Sequence, residues 1–299
     1  MLIDAAGLYF RAFYAVPESI TTPDGRPVNA VRGYLDMAAA LIDRRVPRRF
    51  VSCLDLDWRP AFRVELVPTY KAHRVAAGGG EEIPDTLSPQ VPMLLAVLDA
   101  LGLGCAGAEG FEADDVIATI AARERASVDV VTGDRDLLAL ASDRVTVLYT
   151  GKGIAKLEAI GPAEVLAKYG VPAEHYPDFA VLRGDPSDGL PGVPGVGEKT
   201  AAALVSRFGT IEQIVEAAQA GQDGFPSGAA GKVRAAAGYL AVAPAAVRGR
   251  TDAPVAEVDD ELRAEPRDAA RLTALVEEYG IANSVHRMQQ AIARAVAVG

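Results

Sequence analysis

The sequence predicts an α/β fold: a mainly parallel sheet flanked by helices, followed by a separate helical region. Three observations predict it. β-Branched runs such as Val128-Asp129-Val130-Val131-Thr132 and Val145-Thr146-Val147-Leu148-Tyr149 alternate with stretches of helical periodicity, which is the pattern of βαβ units. Acids recur where those runs end, as they do when a ligand site lies beyond the carboxyl edge of a parallel sheet. From about Asp178 the composition shifts to Gly/Pro turns and Ala-rich helical segments. The expected division is therefore 1–177 for the α/β domain and 178–299 for the helical remainder.

Taken in order, Met1-Leu2-Ile3-Asp4 reads as a very short strand ending in an acid, and residues 8–14 as a helix. Residues 19–28 read as a loop or hairpin by their turn residues. Residues 31–42 carry helical periodicity. Arg44, Arg45, Arg48 and Arg49 read as a solvated helix end. Phe50-Val51-Ser52-Cys53-Leu54-Asp55 is a second strand ending in an acid. Asp57 follows two residues later, and either acid could point into a site. Phe62-Arg63 precedes Tyr70-Lys71-Ala72-His73-Arg74, where an aromatic beside spaced cations suits a nucleic-acid strand. Gly78-Gly79-Gly80 reads as a mobile loop, residues 89–102 as an apolar helix and 103–108 as a short strand.

The next stretch organises the rest. Gly110-Phe111-Glu112-Ala113-Asp114-Asp115 places three carboxylates at the start of an apolar helix, with Glu112 and Asp115 on one face. Acids in a first turn also simply complement the helix dipole. Asp134 and Asp136 follow a strand, and Asp185 and Asp188 lie in a loop. With Asp4 and Asp55 these make nine clustered acids. Gly195-Val196-Gly197-Glu198-Lys199-Thr200 opens a helix through a Gly-x-Gly turn, whose backbone N–H groups suit a phosphate oxygen. A possible short strand is expected near residues 247–255.

Composition limits the alternatives. The net charge is −10, yet setting aside the nine clustered acids leaves 31 acids against 30 Lys and Arg. The negative charge is thus localised. Carboxylates that close raise one another's pKa, and bound divalent metal is the usual remedy. Three histidines without metal-ligand spacing argue against zinc. Cys53 and Cys105 read as free thiols, although the sequence leaves a bridge open. No apolar run is long enough to span a membrane, and no signal peptide is visible, so a cytoplasmic location is expected.

Taken together, the motifs resemble the 5′ nucleases: the 5′–3′ exonuclease domain of bacterial DNA polymerase I and its stand-alone flap-endonuclease relatives. The matching pieces are Leu2-Ile3-Asp4, Phe10-Arg11-Ala12-Phe13, Leu54-Asp55, Tyr70 to Arg74, Gly110 to Asp115, Thr132-Gly133-Asp134-Arg135-Asp136, and Gly184-Asp185-Pro186-Ser187-Asp188 leading into Leu190 to Thr200. They cover nearly the whole chain in the family's order. Four features depart from it. Asp4-Ala5-Ala6 stands where the family usually has Asp-Gly, and Gly189 replaces the usual Asn. An extra residue lies between Asp55 and Phe62, and only three residues precede Asp4.

The resemblance implies a PIN-like nuclease domain, a helix–three-turn–helix DNA-binding element, and a two-metal phosphodiesterase using Mg²⁺ or Mn²⁺. It assigns Asp4, Asp55, Glu112, Asp114 and Asp115 to one metal and Asp134, Asp136, Asp185 and Asp188 to the other. Catalytic roles fall on Asp4, Asp55, Lys71, Arg74, Asp115 and Asp134. DNA contacts fall on Phe10, Arg11, Tyr70, Lys71, Arg74 and the segment Gly195, Val196, Gly197, Glu198, Lys199, Thr200. The family's K⁺ site maps to the carbonyls of Leu182, Arg183, Pro191, Val193 and Val196. The implied substrate is DNA with a 5′ flap, a nick or a 5′-ended duplex, cut by a stand-alone monomer. A PIN-type ribonuclease or a non-catalytic DNA-binding relative are the alternatives; the Pro191 to Ala201 element speaks against the first and the complete acid set against the second.

Overall fold

The computed structural model describes residues 1–298. Six strands form one sheet in the order β3-β2-β1-β4-β5-β6: β1 (Leu2–Asp4), β2 (Val51–Cys53), β3 (Gly104–Ala106), β4 (Val128–Thr132), β5 (Val145–Tyr149) and β6 (Glu158–Ile160). Every pairing is parallel except β5 with β6, so the expected mainly parallel sheet is present. The sequence reading missed β6, whose three residues carry no strong pattern. It also expected a strand near 247–255, but residues 248–268 form no strand and run as an extended strap.

Parallel strands are buried on both faces, and this sheet follows that rule. Ile3, Val131 and Leu148 face one layer of helices, while Leu2, Val128, Val130 and Val145 face the other. The first layer contains α1 (Ala5–Ala15), α2 (Asn29–Arg45) and, after the short α3 (Ala61–Leu66), α4 (Gln90–Leu101). The second is α5 (Ala113–Arg123), whose Val116, Ile117 and Ala121 pack on the sheet. Asn29 fixes the entry to α2: its amide donates to the carbonyls of Phe13 and Val16, each at 2.9 Å.

A second core belongs to α6 (Pro162–Tyr169), α7 (Tyr176–Arg183), α8 (Glu198–Phe208), α9 (Ile211–Gln219), α10 (Ala229–Ala235), α11 (Ala237–Leu240) and α12 (Ala243–Val247). The chain then leaves it. The strap bonds α5 through Thr119, which exchanges bonds of 3.1 Å with the Arg250 carbonyl and the Ala253 N–H. It reaches the start of β2, where Phe50 N–H donates to Asp260 and Leu262 N–H to Arg48.

The last helices, α13 (Ala269–Tyr279) and α14 (Ala282–Val298), complete the first core rather than the second. Leu272, Val285, Met288 and Ile292 share one cluster with Ile3, Leu35 and Leu98. The expected grouping of 178–299 therefore differs from the packing, because the apolar face of α14 docks on α2. Exposed ion pairs Arg287–Asp36 and Arg294–Asp43 flank that seam and add little to it. Cys53 and Cys105 are free thiols on neighbouring strands, as read from the sequence.

Met288 is fully buried in this seam. Met288→Ala is expected to lower unfolding free energy by about 2–5 kcal/mol, the range for truncating a buried side chain. Urea unfolding of both proteins tests this. A loss under about 1 kcal/mol would mean that α14 contributes no core.

Candidate active site

The carboxyl ends of β1, β2 and β4 meet at one edge of the sheet, as the strand order requires. A cleft of about 590 Å³ opens there, lined by Asp4, Asp55, Glu112, Asp114, Asp134 and Asp185. Asp4, Asp55, Asp134 and Asp185 each accept from a backbone N–H. Asp4 ends β1 and caps α1, accepting from Gly7 N–H at 2.8 Å and from the Thr132 hydroxyl at 3.0 Å. A Cβ on Gly7 would lie 2.3 Å from the Asp4 carboxylate, so the close approach requires glycine. Thr132 also accepts from Asp134 N–H at 2.9 Å, tying the ends of β1 and β4 together. Asp55 accepts from Ala113 N–H at 2.6 Å, at the start of α5. Asp57 instead caps its own turn through Arg59 N–H, so the open choice falls to Asp55.

The crowding shows in the acidities. Burial, reinforced by Asp55, pushes Asp4 up to about 6. Burial pushes Glu112 up to about 7, with Lys71 and Arg63 opposing. Burial and then Asp134 raise Asp114, while burial and then Asp188 raise Asp134. Hard oxygen donors under mutual repulsion fit a divalent cation of the Mg²⁺ class. Among the described residues no three of them stand close enough to form a finished cage, so the fit rests on donor chemistry and crowding.

Two nearby cations carry the opposite sign. Lys71 Nζ donates to Glu112 at 2.8 Å and lies mostly buried, on a residue with φ of +47°. Burial disfavours its ammonium, but Glu112 and Asp188 outweigh this and raise its pKa. Arg74 donates to the Ser187 carbonyl at 2.7 Å and remains partly exposed to the cleft. Gly189 abuts this region: its φ is +70°, and a Cβ would lie 2.1 Å from the Thr69 carbonyl. The asparagine usual in the resemblance could not sit here without moving that loop.

Known proteins match this chain along most of its length. The family model for the 5′–3′ exonuclease N-terminal, resolvase-like domain matches residues 1–170, and that for the 5′–3′ exonuclease C-terminal SAM fold matches residues 171–270. The chain belongs to the 5′–3′ exonuclease family. A 5′–3′ exonuclease of Mycobacterium tuberculosis is 50% identical over 98% of this chain and 97% of its own length. One of Streptomyces coelicolor is 51% identical over 96% and 98%. DNA polymerase I of Bacillus caldotenax is 36% identical over 97% of this chain, which spans 32% of that protein.

Solved structures agree in fold. The phage T5 flap endonuclease, in a pseudo-enzyme–product complex with DNA and metal ions, superposes with a TM-score of 0.63 at 17% identity, covering 99% and 98% of the two chains. Human GEN1 in complex with Holliday junction DNA gives 0.65 at 14%, covering 99% and 71%.

Not every residue expected at this exonuclease site lies in its cleft. Asp115 does not. Its carboxylate is fully buried and takes two bonds of 2.7 Å from Arg63, plus the N–H groups of Glu112 and Arg250. It is a structural anchor, because a carboxylate with its oxygens so engaged has little left for an ion. Asp136 and Asp188 stand behind the cleft, around a void of about 30 Å³ shared with Arg63, Tyr70 and Asp114. Tyr70 is buried at 4% exposure and donates to Glu112 at 2.9 Å, so the expected stacking on a base is not available to it. Phe10 lines the cleft. Arg11 lies beside Gly133, its Nε buried without a partner.

Farther along, Gly195, Gly197, Glu198 and Lys199 are exposed at the start of α8, Thr200 is half-buried and Val196 is core. Gly197 has a negative φ and open space around its Cβ position, so its glycine is not demanded by the fold. Leu182 and Val193 adjoin, with Val193 N–H donating to Leu182 at 2.9 Å. The sequence reading gave no role to Arg63, Thr132, Trp58 or Lys232. Lys232 reaches the turn from α10, donating to Gly195 at 2.7 Å, a contact no local pattern signals. Arg63 was visible only as a cation beside an aromatic.

Two substitutions separate anchor from cleft acid. Asp115→Asn leaves the buried Arg63 charge under-compensated and is expected to cost about 3–5 kcal/mol in stability. Asp134→Asn relieves repulsion and is expected to melt above wild type in EDTA near pH 7.5. The sign follows from linkage. Folded-state values of about 6 for Asp4 and about 7 for Glu112 lie above their ordinary ones, so the crowded carboxylates lose stability as pH rises through that range. The advantage of Asp134→Asn should therefore shrink towards pH 5. Melting curves at both pH values check this, and equal shifts in the two variants would refute the distinction.

Proposed function

We propose that this exonuclease hydrolyses phosphodiester bonds of DNA at 5′ ends, flaps and nicks, with two divalent ions (Mg²⁺ or Mn²⁺) held by Asp4, Asp55, Asp114, Asp134 and Asp185, while Glu112, its oxygens engaged by Arg63, Tyr70 and Lys71, supports the site from behind. The observation that carries the reading is the convergence of these acids with Lys71 and Arg74 in one cleft. Asp136 and Asp188 act from behind, through water. When bound, the ions activate water and neutralise developing charge at the phosphate. Lys71 and Arg74 orient the same phosphate and stabilise the charge that builds on it. Glu112 holds Lys71 in place for this. Thr132 and Gly7 fix the Asp4 carboxylate.

The start of α8 would grip the duplex. Free N–H groups at Gly197 to Lys199 and the adjacent Lys232 suit a phosphate. On this reading residues up to about 177, joined by Asp185 and Asp188 from the loop after α7, carry the chemistry and the rest of the segment from 178 to about 247 holds the duplex, with K⁺ on the carbonyls of Leu182, Arg183, Pro191, Val193 and Val196. The enzyme acts as a cytoplasmic monomer; no helix among the described residues is long and apolar enough to cross a membrane.

A labelled 5′-flap duplex incubated with Mg²⁺, Mn²⁺ or EDTA is the direct test. Cleavage is expected with either ion and none in EDTA; full cleavage in EDTA refutes the reading. Lys71→Ala should slow turnover about 10²–10³-fold, the scale for losing one charge-stabilising donor, with a much smaller effect on duplex affinity. Gly197→Val folds normally because open space surrounds that position, yet its side chain would block a phosphate. Its duplex affinity should fall, and its log–log salt slope should flatten by roughly one unit per lost contact. An unchanged slope would make the turn merely structural.

A further inference from the structure

We propose that Trp58 is a nucleobase-stacking subsite of the cleft, receiving a base of the strand whose phosphate meets Lys71 and Arg74. The proposal rests on the nuclease reading above and adds to it a residue outside the acidic and basic motifs. Trp58 is the chain's one tryptophan and lines the same cleft as Asp55, Lys71 and Asp114. It is half-buried. Among the described residues its ring makes no aromatic or cation–π contact, and its indole N–H makes no hydrogen bond. The other aromatics that line the cleft differ in this respect. Phe10 packs on Tyr9, and Tyr149 lies under Lys168 and accepts from Arg135.

The loop that carries Trp58 is fixed on both sides. Asp55 accepts from Ala113 N–H, and Asp57 N–H donates to the Phe111 carbonyl at 3.2 Å. Arg59 donates to the carbonyls of Tyr70 at 2.6 Å and Pro68 at 3.0 Å. The same arginine therefore links the Trp58 loop to the residue preceding Lys71. An unpartnered aromatic on a rigid loop loses little freedom on binding, which favours stacking.

Charge explains why a neutral contact is needed here. Asp55 and Glu81 line the cleft alongside Trp58 and repel phosphate. Lys71 and Arg74 attract it only locally. A ring gives the strand an attachment that is insensitive to that field and indifferent to sequence, since every base offers a π face.

The lone tryptophan supplies its own probe. In EDTA, wild-type protein is titrated with a 5′-phosphorylated hexathymidylate and with an abasic sugar–phosphate strand of the same length and charge. The expected result is strong quenching of Trp58 emission by the thymidylate and little by the abasic strand. In steady-state cleavage of a labelled 5′ flap, Trp58→Ala should raise KM about tenfold, the scale of one lost stacked base, and Trp58→Phe should recover most of it. Melting curves of both variants show that they fold. Equal quenching by the two strands overturns the proposal, as does an unchanged KM in Trp58→Ala. No quenching by either strand, with flap cleavage by the wild type intact, also overturns it while sparing the nuclease reading. Absence of any wild-type cleavage with divalent ions present removes that reading and the proposal with it.

Discussion

The active edge of this exonuclease depends on one buried cation. Arg63 is 2% exposed and answers two carboxylates at once, Asp115 through both terminal nitrogens and Glu112 through one. It also donates to the Ala246 carbonyl at 2.8 Å. Without it, Asp115 would be an uncompensated buried charge and Glu112 would keep only the Lys71 charge, at an edge already crowded with acid. Burying such a group of ions costs more than its pairing returns unless the geometry is nearly ideal. The surplus negative charge can remain in the cleft because this part of it is neutralised inside.

The same interaction ties the second core to α5. Ala246 lies near the end of that core, and Arg250, whose N–H meets Asp115, belongs to the strap over α5. Lys71 adds a parallel link, donating its N–H to the Asp188 carbonyl at 2.9 Å and its ammonium to Glu112. Loops from distant parts of the chain are thus held in register by charge and backbone together. The left-handed backbone at Lys71, unusual for a residue with a side chain, is a local cost that these contacts sustain.

Much of this was legible in the sequence. The β-branched runs at 128–132 and 145–149 are strands, and the acids at or after the ends of β1, β2 and β4 line one cleft, because a parallel sheet brings successive strand ends to a common edge. The failures have physical causes. Asp115 shares a helix face with Glu112, and periodicity shows that face but not whether solvent or Arg63 occupies it. Tyr70 sits beside cations, as a stacking residue would, yet burial turned its hydroxyl to Glu112. Gly78 to Gly80, read as a loop, form a turn in which Ala76 N–H donates to the Gly80 carbonyl, and this brings Glu81 to the cleft, which local pattern did not signal. The docking of α14 on α2 is a long-range choice between amphipathic faces, and local pattern cannot make it.

That docking bears on how the protein is made. Ile292 and Ala295 fill the same cluster as Ile3 and Leu8, nearly three hundred residues earlier. A growing chain on the ribosome can assemble its central strands, but one face of α2 stays uncovered until α14 has been synthesised. The usual order, in which an N-terminal domain folds before the next emerges, is closed to it. The helical layer behind Ile3, the residue before Asp4, is thus complete only once α14 has emerged.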